Sequence, residues 1–158
     1  MNFNNLTIKS QEALQRAQQI AMGQQNPSIE PGHLLKGVLE GDDGVAPYVL
    51  KKLGINLTAE TQTLDSIVAS YPTGGSGNQY LSRPATEAIQ KANLLLKEFG
   101  DEYVALEHLL LGIISVKDTV AQMLKDAGAT EKAMKAAVRE MRKGAKVTSS
   151  SAEGSYNA

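Results

Sequence analysis

One offset constrains this chain more than any other feature: much of its first half returns 75 positions later. Glu12, Ala13, Gln15 and Ala17 recur as Glu87, Ala88, Gln90 and Ala92, with Leu14 and Arg16 as Ile89 and Lys91. His33, Leu34, Leu35 and Gly37 recur as His108, Leu109, Leu110 and Gly112, and Val38 and Leu39 as Ile113 and Ile114. One residue is then lost, and Leu50 and Gly54 return 74 positions on as Leu124 and Gly128. A sequence this self-similar at a constant offset is one structural unit built twice.

Each unit reads as helices. Ala13, Leu14, Ala17, Ile20 and Ala21 recur at spacings of three and four, which places them on one helical face. Ala88, Ile89, Ala92, Leu95 and Leu96 repeat that face, and the small alanines permit close helix approach. A short second helix is expected over Pro31–Glu40 and Leu106–Ser115, since proline suits the first turn, where its missing N–H costs nothing. A third is expected over Ala46–Leu53 and Thr119–Ala127, each stopping at a glycine, Gly54 or Gly128. The fourth runs over Thr58–Ser70 and Glu131–Arg142, the latter capped by Thr130. No run alternates apolar and polar β-branched residues, so strands are not expected. The expected fold is all-α: two four-helix repeats, about 7–70 and 82–143, related by a pseudo-twofold axis. The Gly-rich stretch 71–81 reads as a linker between them. Residues 144–158, polar and rich in small side chains, read as a flexible linker towards a further domain.

Composition removes several classes of function. With 16 basic and 17 acidic residues, no overall field draws the chain to nucleic acid or to an anionic membrane. There is no cysteine, which excludes disulfides, thiolate catalysis and cysteine-based metal sites. Trp is absent and aromatics are 4 % of residues, so base-stacking platforms are not expected. No N-terminal signal segment or bilayer-length apolar run is evident, which fits a cytoplasmic location.

Four local features invite sharper readings. The two histidines suggest metal, but three and four residues beyond them stand Lys36 and Gly37, or Leu111 and Gly112, none of which supplies the second ligand zinc wants on a helix. Duplication accounts for them instead, as helix-start residues making local hydrogen bonds. The stretch PTGGSGN lacks the Lys-Ser/Thr of a phosphate loop and any preceding strand, so it reads as a connector. No serine stands in a nucleophile elbow or beside a paired base, and the chain is not expected to be an enzyme. Lys132, Lys135, Arg139 and Arg142 form a basic stripe on the last helix. Opposite them stand Ala133, Met134, Ala137, Val138 and Met141, so the stripe reads as a solvated face over a core face.

The words LTIKSQEALQRAQQIA, IEPGHLL, GDEYVALEHLLLGII and LKDAGAT, together with the duplication, resemble the amino-terminal domain of the Clp family of AAA+ unfoldases, and within it the ClpB-type protein disaggregases. The likeness covers residues 1 to about 143, and the chain contains no Walker motif. The resemblance implies a substrate-recognition module on a homohexameric ATPase ring. Such a module binds unfolded or aggregated polypeptide in an apolar groove and passes it to the pore. It also implies heat-shock work alongside a DnaK-type chaperone, with ATP and magnesium held by other domains, no cofactor in this one, and a monomer when isolated. By the same resemblance the substrate-binding residues are Thr7, Leu95, Asp101, Glu107 and His108, with Leu111 projecting one turn later on the same helix. An adaptor-docking domain of a protease-coupled Clp unfoldase is the alternative the resemblance leaves open.

Overall fold

The computed structural model describes residues 4–40, 44–74 and 77–156. Among them are eight α-helices, with bounds within one residue or so of those expected for the second, third and fourth helix of each unit. The first repeat holds α1 (Ile8–Gly23), α2 (Pro31–Leu39), α3 (Val45–Lys52) and α4 (Leu57–Ala69). The second holds α5 (Arg83–Phe99), α6 (Leu106–Ile114), α7 (Thr119–Asp126) and α8 (Glu131–Arg142). Local chemistry sets the ends. Thr7, Asn56, Ser82 and Thr130 each accept the backbone N–H three residues on. Gly54 and Gly128, just past α3 and α7, take the positive φ (80° and 107°) that a left-handed turn demands.

The two repeats interlock rather than lying side by side. α1 packs on α2 and α5 on α6, while α3 packs on α8 and α4 on α7, across the repeats. Duplicated glycines make the tight pairs possible. A β-carbon on Gly37 would collide with the Ala13 carbonyl oxygen, and one on Gly112 with that of Ala88. Ala13, Ala17, Ala88 and Ala92 are at most 1 % exposed, so the small-residue stripes are the contact itself.

Two short parallel pairings, absent from the sequence reading, join the halves. β1 (Ser28–Ile29) pairs with β2 (Tyr80–Leu81), and Leu6 bridges Val104. They are symmetry mates: the Thr7 N–H donates to the Val104 carbonyl as the Ser82 N–H donates to that of Ile29, both at 3.0 Å. Each repeat thus sends the segment before its first helix to the segment before the other's second helix. Two residues are too few to show alternation, so periodicity carries no trace of them. The β1–β2 pairing fixes the far end of the 71–81 linker, and Tyr71 and Pro72 at its start are hydrogen-bonded to repeat one. Gly75 and Ser76 at its centre lie outside the described residues.

A larger correction concerns the tail. The sequence reads residues 144–158 as a flexible linker, but the described part, 144–156, does not stay free of the domain. Instead Lys143 and Gly144 take positive φ (51° and 90°) and turn the chain back over the second repeat. Val147, Ala152, Glu153 and Tyr156 are buried there, the last three in and beside a 3-10 turn, Ala152–Ser155. Isolated anchors in a polar segment leave no periodic signal, so composition alone misjudged it.

Candidate functional site

Two places compete for a functional reading: an enclosed polar cluster and an open apolar groove. The cluster contains most of the residues singled out from the sequence, and it begins with the histidines. In both repeats the histidine sits at the third position of its helix and its Nδ1 accepts an N–H from the residue before that helix. The donors are Glu30 (2.9 Å) and Ala105 (2.8 Å). With Nδ1 an acceptor, the ring proton lies on Nε2. His33 Nε2 then donates to Asn26 Oδ1 at 2.8 Å, and His108 Nε2 to Asp101 Oδ2 at 2.7 Å. Asn26 and Asp101 are themselves 75 residues apart, so one neutral device appears twice, with a charge added in the second copy.

That charge draws in partners with no equivalent in repeat one. Arg142 donates through Nη1 to Asp101 Oδ2 (2.7 Å) and through Nε to Glu107 Oε2 (2.9 Å). The Val147 N–H donates to Asp101 Oδ1 at 3.0 Å. Thr7 Oγ1 donates to Glu153 Oε2 at 2.6 Å, and the Leu106 N–H to the same oxygen at 3.2 Å. At the corresponding place in repeat one the Gly32 N–H donates to the Tyr71 hydroxyl, and that hydroxyl and Val68 occupy the space a side chain at Gly32 would need. Burial works against the charge on Asp101, but His108, the Val147 N–H and Arg142 together hold its carboxyl below the ordinary value. Burial also disfavours charge on Arg142, and Glu107 and Asp101 more than restore it. Glu153 lacks such compensation: burial raises it, Thr7 and Leu106 pull back, and the nearby Glu107 charge adds to the rise.

The six expected site residues therefore do not line an open groove. Thr7, Glu107, His108 and Leu111 are 0 % exposed, Leu95 is 2 % exposed, and the Asp101 side chain is closed off. The structure brings Thr7, Asp101, Glu107 and His108 into one cluster but places Leu95 and Leu111 in the core. Thr7 is the α1 cap, matched by Ser82 in α5. The basic stripe divides as well. Arg139 and Lys135 meet Glu98 at the surface, whereas Arg142 is only 5 % exposed.

The open groove lies on the seam between the repeats, with a volume of about 370 Å³. Its walls are Leu6, Leu14, Ile29, Leu34, Leu81 and Ile89, and its rim is Gln11, Gln15, Gln18 and Gln79. Leu6 and Leu81 are duplicate positions, as are Leu14 and Ile89, so the groove follows the pseudo-twofold axis. Beneath it Leu14, Leu34 and Ile89 continue into a closed apolar seam with Val38, Leu109 and Ile113. Among the described residues no charged side chain lines this groove, and Tyr80, next in sequence to Leu81, is 64 % exposed. Sequence reasoning missed these residues because a duplicated apolar stripe reads as core. The offset signalled a seam but not its lining, because duplicate positions such as Leu14 and Ile89 face each other only where they lie near the axis. Among the described residues no group of three or more His, Asp or Glu side chains is placed to hold a metal ion. No helix among them is long and apolar enough to cross a membrane.

Known proteins share this architecture. The N-terminal domain of Hsp104 from Candida albicans superposes with a TM-score of 0.82 at 19 % identity, covering 93 % of this chain and 97 % of that one. A ClpV N-domain, solved in complex with a VipB peptide, gives 0.72 at 19 % identity over 87 % of this chain and 86 % of that one. In sequence, the chaperone protein ClpB of Bacteroides thetaiotaomicron is 47 % identical over 156 residues, 99 % of this chain. The chain spans 18 % of that relative's length. The Clp repeat (R) N-terminal domain family matches residues 5–127, and the chain belongs to that family.

Proposed function

We propose that this chain is the polypeptide-recognition module of a ClpB-type disaggregase, binding unfolded segments in the seam groove and passing them to an ATPase ring. The uncharged, leucine-lined groove with its glutamine rim is the observation that carries the reading. Apolar walls reward any side chain that leaves water. Glutamine amides both donate and accept, so they can serve an extended backbone without selecting its sequence. Binding there is weak, because the client loses conformational entropy on ordering. Weakness suits a first contact that must release its client. The chemistry of the module is binding alone, and ATP hydrolysis, magnesium, hexamer formation and a DnaK-type partner belong to the full-length protein under this proposal.

The test is the affinity for fluorescently labelled, unfolded casein, read by anisotropy. Leu81→Gln, at a half-buried wall position, is expected to weaken binding about tenfold while thermal melting stays near wild type. Unchanged affinity would contradict the reading. One observation favours the alternative, docking of a dedicated adaptor: the ClpV N-domain of the same fold was solved with a peptide from a named partner. A folded adaptor would recognise outer surfaces such as the α4/α7 cleft around Ile67 and Met123, and L81Q would leave it unaffected.

A further inference from the structure

We infer that residues 147–156 are a reversible strap: docked, they close the Thr7–Asp101–Glu107–Arg142 cluster to solvent, and released, they open it. The eight-helix unit ends at Arg142, and among the described residues no 3-10 turn follows α4 in repeat one. Its hold on the domain is sparse. Four side chains are buried, Val147, Ala152, Glu153 and Tyr156, while Thr148, Ser149, Ser151, Gly154 and Ser155 face solvent. Two extended backbone bonds reach it, from the Glu102 N–H to the Val147 carbonyl and from the Ile8 N–H to the Ser150 carbonyl, both 2.8 Å.

The docked state also carries its own opposition. Asp101 and Glu107 set two carboxylates against the single guanidinium of Arg142, and docking inserts Glu153 as a third acid. Only one Glu153 oxygen is served, by Thr7 and Leu106. Glu153 Oε1 is buried without a hydrogen-bond partner among the described residues. Buried polar atoms left unpaired oppose the state that buries them. Few anchors, weighed against a third acid with one carboxylate oxygen unpaired, make a contact that opens far below the cost of unfolding the helices. Release would bare a charged pocket at the N-termini of α1 and α6, remote in character from the apolar seam groove. The inference stands independently of what that groove binds.

Amide hydrogen exchange on the whole chain tests it. In the wild type, the Ile8, Glu102 and Val147 amides are expected to exchange at least tenfold faster than those of Ile113 and Leu124. Glu153→Ala removes the anchor and is expected to speed the first three a further tenfold, leaving Ile113, Leu124 and the melting temperature unchanged. Glu153→Gln keeps an acceptor, removes the third acid and gains a donor towards Glu107, so exchange at the three amides is expected to slow or hold. Exchange of all five amides at one common rate, or loss of folding in E153A, would make the strap part of the core and overturn the inference. So would an E153A chain that exchanges like wild type, or an E153Q chain as fast as E153A.

Discussion

At the scale of single residues, the repeated glycines and histidines answer to steric and hydrogen-bonding demands made twice. Gly37 and Gly112 are glycines because the helix beside them presents a carbonyl oxygen where a β-carbon would stand. Alanine at either position is expected to lower unfolding free energy by about 3 kcal/mol, as overpacking against backbone does. Gly23→Ala, with open space around it, should stay within about 0.5 kcal/mol in the same urea titrations. His33 makes a pH prediction. Burial, set against the Glu30 charge and aided by Lys36, depresses its pKa from 6.5 to about 4. The folded state holds this imidazole neutral, so its contribution is intact above pH 6.5 and is lost as pH falls from there towards 4. The urea midpoint should drop across that window, by an amount equivalent to about 3 kcal/mol at most. His33→Gln should flatten the dependence. Asp101 works in a lower window, its contribution lost only as pH falls below 3.8.

At the scale of elements, boundaries were legible wherever the signal was local. Pro31, Gly54, Gly128 and Thr130 each mark an end that the structure reproduces, because caps and left-handed turns are decided by a few neighbouring residues. What pairs at a distance was not legible. Leu6 and Val104 meet across a sequence separation of 98 through backbone atoms that any residue carries. Arg142 looked like one more member of a solvated basic stripe, since nothing in α8 announces that Val147, Glu153 and Tyr156 fold back over it. Its burial sets the sharpest mutational contrast in the molecule. Arg142→Leu leaves Asp101 and Glu107 enclosed without a counter-charge and is expected to cost about 3–5 kcal/mol. Arg139→Leu, at an exposed pair with Glu98, should cost under about 1 kcal/mol in the same thermal or urea melts.

At the scale of the whole molecule, duplication creates the groove as well as the fold. Interlocked repeats pack their alanine and glycine stripes tightly, yet along the axis the larger pair Leu14 and Ile89 meets Leu6 and Leu81 and leaves a furrow open to solvent. A seam between two halves was foreseeable from the 75-residue offset. Its lining was not, because an apolar stripe looks the same whether its far side meets another helix or water. Of the residues that resemblance nominated, Thr7, Asp101, Glu107 and His108 form a closed polar cluster, and Leu95 and Leu111 lie in the core. The measurement that tests the seam groove most directly is a two-dimensional amide NMR titration of this chain with unfolded casein, with a folded globular protein as control. The account predicts shifts concentrated at Leu14, Gln15, Gln18, Leu81 and Ile89 with the unfolded chain only. Shifts confined to the α4/α7 cleft or to α8, or none at millimolar casein, would contradict it.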